Sequence, residues 1–136
     1  MEDTMAGGCL CGAVRYTING PIQGEIAHCH CGMCRRASGA PALTWFSIKK
    51  EDLEIVRGEP KSYRSSDHAR RSFCGACGTP ITFFSDHEPA FIDVTLGSLD
   101  RPEDCPATQH IWTMSRLSWL HLDEHLPEHI KGGGPV

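Results

Sequence analysis

Seven consecutive residues, His28 to Cys34, read His-Cys-His-Cys-Gly-Met-Cys and place three thiols and two imidazoles in one short stretch. No other feature narrows the possible folds as much. Cys29, Cys31 and Cys34 follow a C-x-C-x2-C spacing, so a tight turn can aim three sulfurs at one point, and three soft thiolates prefer Zn2+ or a comparable thiophilic ion. A fourth ligand is missing from the stretch. Either another part of the chain closes a structural tetrahedron, or the fourth position stays open to water and substrate, as in a catalytic zinc site.

Two more cysteine pairs stand apart from this cluster. Cys9 and Cys11 form a C-x-C knuckle with glycine on both sides, and Cys74 and Cys77 form a C-x2-C knuckle followed by Gly78. Together they supply the four sulfurs of a closed structural zinc; alternatively the pairs belong to different sites, one of them completing the opening cluster. The eighth cysteine, Cys105, sits in a proline-flanked loop. The candidates for the fourth ligand of Cys29, Cys31 and Cys34 are therefore Cys105, one of His28 and His30, or water.

Eight cysteines could also make a secreted disulfide scaffold, but that reading wants an export signal and a smaller domain. The N-terminus is acidic without an apolar core segment, and no run approaches the length of a membrane span, so a soluble cytoplasmic protein is expected. The 136 residues suit one domain. The formal net charge is -4, and about -7 with two zinc ions and seven thiolates, which argues against a nucleic-acid partner. Oligomeric state is not legible.

Hydrophobic patterning predicts a mainly β fold. Val14, Tyr16 and Ile18 alternate with Arg15 and Thr17 as in a half-buried strand. Further short strands are expected over 22–27, 42–48, 53–57, 61–65, 69–73, 80–85, 91–96 and 110–114, separated by glycine, proline and acidic turns. Residues 35–39 read as a turn or single helical turn ended by Gly39, and no segment sustains a 3.6-residue period. Residues 1–7 are expected to be a loose terminus, 8–126 the zinc-binding domain, and 127–136 a flexible tail.

Three thiolates leave a bound zinc with net negative charge, a poor generator of hydroxide but suited to holding a thiol substrate as a nucleophile toward a carbonyl. Arg35 and Arg36 could hold carboxylates of such a substrate, or simply balance the thiolate charge. His110 is a candidate proton shuttle, with a hydrogen-bonded core histidine as the alternative. His121, His125 and His129 recur every four residues, yet Pro127 interrupts any helix there and they read as surface residues. Trp45, Phe46, Trp112 and Trp119 read as core, one of them able to wall a pocket.

Gly8 to Tyr16, His28 to Arg36, Phe73 to Ile81, Leu96 to Asp100 and His110 to Trp112 resemble, in order, the motifs of the glutathione-dependent formaldehyde-activating enzyme family, which includes centromere protein V. The resemblance implies a β-tent fold of short antiparallel strands with zinc knuckles. It also implies a structural zinc on Cys9, Cys11, Cys74 and Cys77 and a second, catalytic zinc on Cys29, Cys31 and Cys34. The implied activity is that of a carbon-sulfur lyase joining formaldehyde to glutathione. A non-catalytic, zinc-stabilised protein-interaction module of the same fold is the alternative. The tent also resembles that of methionine sulfoxide reductases, for whose nucleophile only Cys105 is available.

Overall fold

The computed structural model describes residues 4–132. Among the described residues ten strands run in order: β1 (Thr4–Gly8), β2 (Arg15–Asn19), β3 (Gln23–Cys29), β4 (Leu43–Lys49), β5 (Leu53–Arg57), β6 (Lys61–Ser66), β7 (Ala69–Phe73), β8 (Pro80–Ser85), β9 (Phe91–Thr95) and β10 (Gln109–Ile111). The α-helix among the described residues, α1 (Gly32–Ser38), falls between β3 and β4. The strands form a small sheet in the order β1-β2-β5 and a large one in the order β10-β3-β4-β9-β8-β7-β6. All pairings are antiparallel except β10 with β3. The fold is mainly β, as the sequence predicts.

Alternation sorts each strand between two surfaces. In β2, Tyr16 and Ile18 are fully buried and pack with Phe46 and Ile48 of β4, Ile81 of β8 and Val94 of β9. The small sheet therefore covers one face of the large one, and this apolar layer is the principal source of stability. The phenol of Tyr16 satisfies its buried hydroxyl with Ser98 Oγ at 2.6 Å. Side chains one residue out of phase, among them Trp45, Phe83 and Asp93, point to the opposite, concave face. Cys29 and Cys34 pack there with Trp45 in a second, smaller cluster.

Both chain ends depart from expectation. Residues 4–7 belong to β1, paired in register with β2 from Thr4↔Asn19 to Gly8↔Arg15, because the backbone of an edge strand needs partners that the side-chain pattern does not reveal. Residues 127–131 are tied to the segment around β10: His110 N–H donates to Pro127 O, His129 N–H to His110 O, and Trp112 N–H to Lys131 O. The rest of both expected termini, residues 1–3 and 133–136, lies outside the described residues. Trp119 is 64% exposed and is not a core residue, and Trp112 stands at the cleft edge; Trp45 and Phe46 are buried as expected.

Candidate metal centre

Two tight turns build the four-thiol cluster. After β1 the chain folds back through Cys9 to Gly12, with Gly12 N–H on Cys9 O at 3.2 Å; after β7 it does the same through Cys74 to Gly78, with Gly78 N–H on Cys74 O at 2.8 Å. Gly12 and Gly78 have φ of 83° and 85°, a left-handed conformation that a side chain would strain. Leu10 N–H donates across to Thr79 Oγ1, so one knuckle is bonded to the other.

The sulfurs of Cys9, Cys11, Cys74 and Cys77 all lie within 4.8 Å of one another. Cys9 and Cys11 are 3.7 Å apart, and Cys11 and Cys74 are 3.8 Å apart. Four sulfurs placed tetrahedrally about an ion at the zinc-sulfur bond length would be about 3.8 Å apart. The donor set thus fits a tetrahedral thiophilic ion. Backbone N–H groups of Val14, Ala76 and Cys77 point at the Cys9 and Cys74 sulfurs, as expected where thiolate charge is to be stabilised. The Cys77 thiol is lowered to about 5 by the Thr79 hydroxyl and backbone.

The second cluster is assembled differently. Strand β3 runs to Cys29 itself, longer than the predicted 22–27, so this sulfur is fixed by the sheet. Cys31 is the N-cap of α1, its sulfur accepting from the Cys34 N–H at 3.2 Å, and Cys34 lies in the first turn. Gly39, with φ 74°, ends the helix as expected, although α1 begins earlier than the predicted turn. The three sulfurs lie within 4.8 Å of one another, and among the described residues neither Cys105 nor a histidine joins them. Cys105 packs against the main core instead, where burial pushes its thiol up.

These three thiols share protons unevenly. Hydrogen bonds from Cys29 and then Cys34 pull Cys31 down, while the proton shared with Cys31 holds Cys29 up. Cys34 receives the guanidinium of Arg71, whose Nη1 and Nη2 both lie 3.6 Å from its sulfur. Arg71 comes from β7, stacks over Phe83 at 5.0 Å and lies 5.9 Å from the Trp45 ring centroid. It was invisible in the sequence because only the β7-β8-β9-β4 register carries it to the cluster.

All three sulfurs line a cleft of about 880 Å³ on the concave face, walled by Trp45, Phe83 and Trp112. Arg36 is exposed on its rim, whereas Arg35 is not among the lining residues. The guanidinium that reaches a sulfur of the cluster is that of Arg71, at 3.6 Å from Cys34.

The histidines flanking the cluster turn away from it. His110, in register with His28 on the neighbouring strand, is fully buried and not part of the cleft wall. Its Nε2 is 2.9 Å from the Asp123 carbonyl, which can only accept, so Nε2 carries the proton and Nδ1 accepts from His30 Nε2 at 2.9 Å. The geometry is that of the hydrogen-bonded core histidine. His30 is lowered to about 4, by burial first and then by the charge of Arg116, and is neutral. His28 bonds Thr44 Oγ1 and the Asp123 carboxylate at 2.7 and 2.8 Å. The three imidazoles thus brace the backbone on both sides of Cys29. His121 and His125 are exposed and His129 is half-buried, on turns with no helix to align them.

Fold and site together define a class: a mainly antiparallel β domain whose two cysteine clusters could each hold a metal ion. Within that class, the chain belongs to the family described as glutathione-dependent formaldehyde-activating enzyme, whose model matches residues 4–115. It is 22% identical over 142 aligned positions to a Halomonas elongata protein provisionally named glutathione-dependent formaldehyde-activating enzyme, covering 96% of this chain and 88% of that one. An uncharacterized lyase of Schizosaccharomyces pombe is 32% identical over 94 positions, 66% of each chain. A crystal structure of a Rhodobacter sphaeroides protein superposes with a TM-score of 0.60 at 22% identity, over 91% of this chain and 99% of that one, a likeness of fold.

Proposed function

We propose that the chain is a zinc-dependent enzyme of the carbon-sulfur lyase type. It binds a small thiol, with glutathione as the leading candidate, at Cys29, Cys31 and Cys34 and adds its sulfur to a small aldehyde such as formaldehyde. The observation that carries the reading is the three-sulfur cluster on the wall of a large cleft, joined by no fourth protein ligand among the described residues. The family to which the chain belongs agrees with it.

Zinc held there would supply the positive charge that favours loss of the proton from an incoming thiol. Arg71 offsets the charge of Cys34 in a partly buried setting, where an uncompensated thiolate would be costly. Trp45 and Phe83 give the cleft an apolar wall beside the cluster. In the addition the carbon-sulfur bond forms, the carbonyl π bond opens, and the proton lost by the thiol ends on the new hydroxyl. Arg36, which lines the cleft, would take a substrate carboxylate. His110 acts on the reaction through position, by holding His30 and the strand that ends in Cys29. Cys9, Cys11, Cys74 and Cys77 would hold a structural zinc.

The test is metal stoichiometry with thiol titration. Two zinc ions per chain are expected, with added glutathione perturbing only the ion at Cys29, Cys31 and Cys34. One ion per chain, or a second ion with four protein ligands, would leave the non-catalytic zinc-stabilised module as the better reading.

A further inference from the structure

The cleft extends well beyond the three sulfurs, and its far end carries a carboxylate that the proposed reaction does not use. We infer that Asp93 is a distal subsite that takes the cationic end of a thiol whose sulfur lies at Cys29, Cys31 and Cys34. The inference rests on the thiol-binding reading of that cluster and specifies its substrate class: a thiol that carries an ammonium group at the end away from its sulfur.

The strand register sets the geometry. Cys29 pairs with Leu43 at one end of β4, and Asp93 pairs with Ser47 at the other. The four residue steps from Leu43 to Ser47 cover about 13 Å along the strand, and β3 and β9 lie on opposite sides of β4, about 10 Å apart. The two backbones are then roughly 16 Å apart, and side chains reaching into the cleft from both ends reduce this to a ligand span of roughly 10 Å. Trp45, on the same face of β4, lies between the ends, and Phe83, paired with Asp93 on the side away from β4, leans its ring to 6.2 Å from that of Trp45. The middle of the cleft is therefore an aromatic floor.

Asp93 is held in place with one oxygen left available. Ser47 Oγ donates to Asp93 Oδ1, which fixes the carboxylate, and Oδ2 has no protein partner among the described residues. Arg71, on the far side of Phe83 in the same cross-sheet row, is committed to Cys34 and does not neutralise it. Burial raises the Asp93 carboxyl to about 6, so ionisation there is maintained at a cost in stability. A carboxylate on a sheet face beside Phe83, desolvated and without a cation, is what a site for an ammonium group requires. The cleft is also polarised along its length, with Arg36 and Arg71 near the sulfurs and Glu25 with Asp93 at the other end.

The experiment compares two thiols by titration calorimetry against the zinc-loaded protein at about pH 7.5, where the carboxylate is ionised. One is an eight-carbon ω-aminoalkanethiol; the other is its ω-hydroxy isostere of equal length. The wild type is expected to bind the amino thiol roughly tenfold more tightly. Asp93→Asn, which keeps the shape and the Ser47 hydrogen bond, is expected to bind both within about twofold, with zinc content unchanged. Equal affinities in the wild type overturn the inference. So does a preference that survives in Asp93→Asn, which would move the recognition to Glu25. Binding of neither thiol overturns the thiol reading of the cluster and this inference with it.

Discussion

The two terminal nitrogens of Arg71 are each 3.6 Å from the sulfur of Cys34, across a sequence separation of 37 residues. A fork of N–H groups on one sulfur both orients the ligand and drains its charge, the kind of support that partners of metal ligands commonly supply. Arg71→Met is expected to weaken metal retention at Cys29, Cys31 and Cys34 by roughly tenfold while leaving the four-cysteine site unchanged. Competition with a graded series of chelators, read as the loss of one ion before the other, measures this directly. Simultaneous loss of both ions would show that Arg71 serves the fold and not the site.

The two cysteine clusters should respond oppositely to the same chemical change. Cys74 is buried within the main core, and its cluster ties the turn after β1 to the turn after β7. Metal binding free energy there is folding free energy. Cys74→Ser is expected to abolish cooperative unfolding in far-ultraviolet circular dichroism, whereas Cys31→Ser keeps a cooperative transition but loses thiol-aldehyde turnover. Retained turnover in Cys31→Ser would defeat the catalytic assignment.

Asp93 makes a stability prediction with a definite sign. Its folded pKa is about 6 against an ordinary value of 3.8, so between these values the folded state holds more proton than the unfolded chain. Stability contributed by this group therefore falls as pH rises from about 4 to about 6 and stays low above that. Asp93→Asn is expected to be more stable than the wild type near neutral pH, on the order of 2 kcal/mol. The advantage should shrink as pH falls toward 5. Urea unfolding of both proteins at several pH values checks it, and a variant less stable at neutral pH would contradict the assignment of burial as the cause.

Tyr16 is a test of the main core. Its hydroxyl is buried against Ser98, whose Oγ also donates to Thr95 O. Tyr16→Phe leaves Ser98 satisfied on that side, so the expected loss is about 1 kcal/mol, visible as a lower denaturation midpoint with an unchanged slope. A loss several times larger would mean that the hydroxyl holds the turn after β9 in place.

Asp123 ties the C-terminal segment to the buried imidazoles through its carboxylate on His28 and its carbonyl on His110. Its carboxyl is lowered, first by the His28 hydrogen bond, so the contact is present above the unfolded carboxylate pKa and is lost as pH falls through the lower folded value. Asp123→Ala is expected to speed amide exchange across 127–131 without altering the four-cysteine cluster. Unchanged exchange there would show that the backbone pairing with β10 holds the segment alone.

What the sequence determined by itself is local chemistry. Metal ligands a few residues apart share a turn, so C-x-C, C-x2-C and C-x-C-x2-C spacings reveal donor sets without knowledge of the fold. Alternation in β2 and β9 reveals which side chains share a face, because the period of a strand is two regardless of its partners. Gly39 marks the end of α1 for a similarly local reason. What only the tertiary structure decided is pairing across distance. That Cys9 and Cys11 meet Cys74 and Cys77, that Cys105 and the histidines stay out of the second cluster, and that Arg71 and Asp93 reach the cleft all depend on strand register. Thr4 to Gly7 looked patternless, and the segment 127–131 looked like a tail, because both are held by backbone hydrogen bonds common to every residue type. Register is a property of two strands together, and neither strand spells it alone.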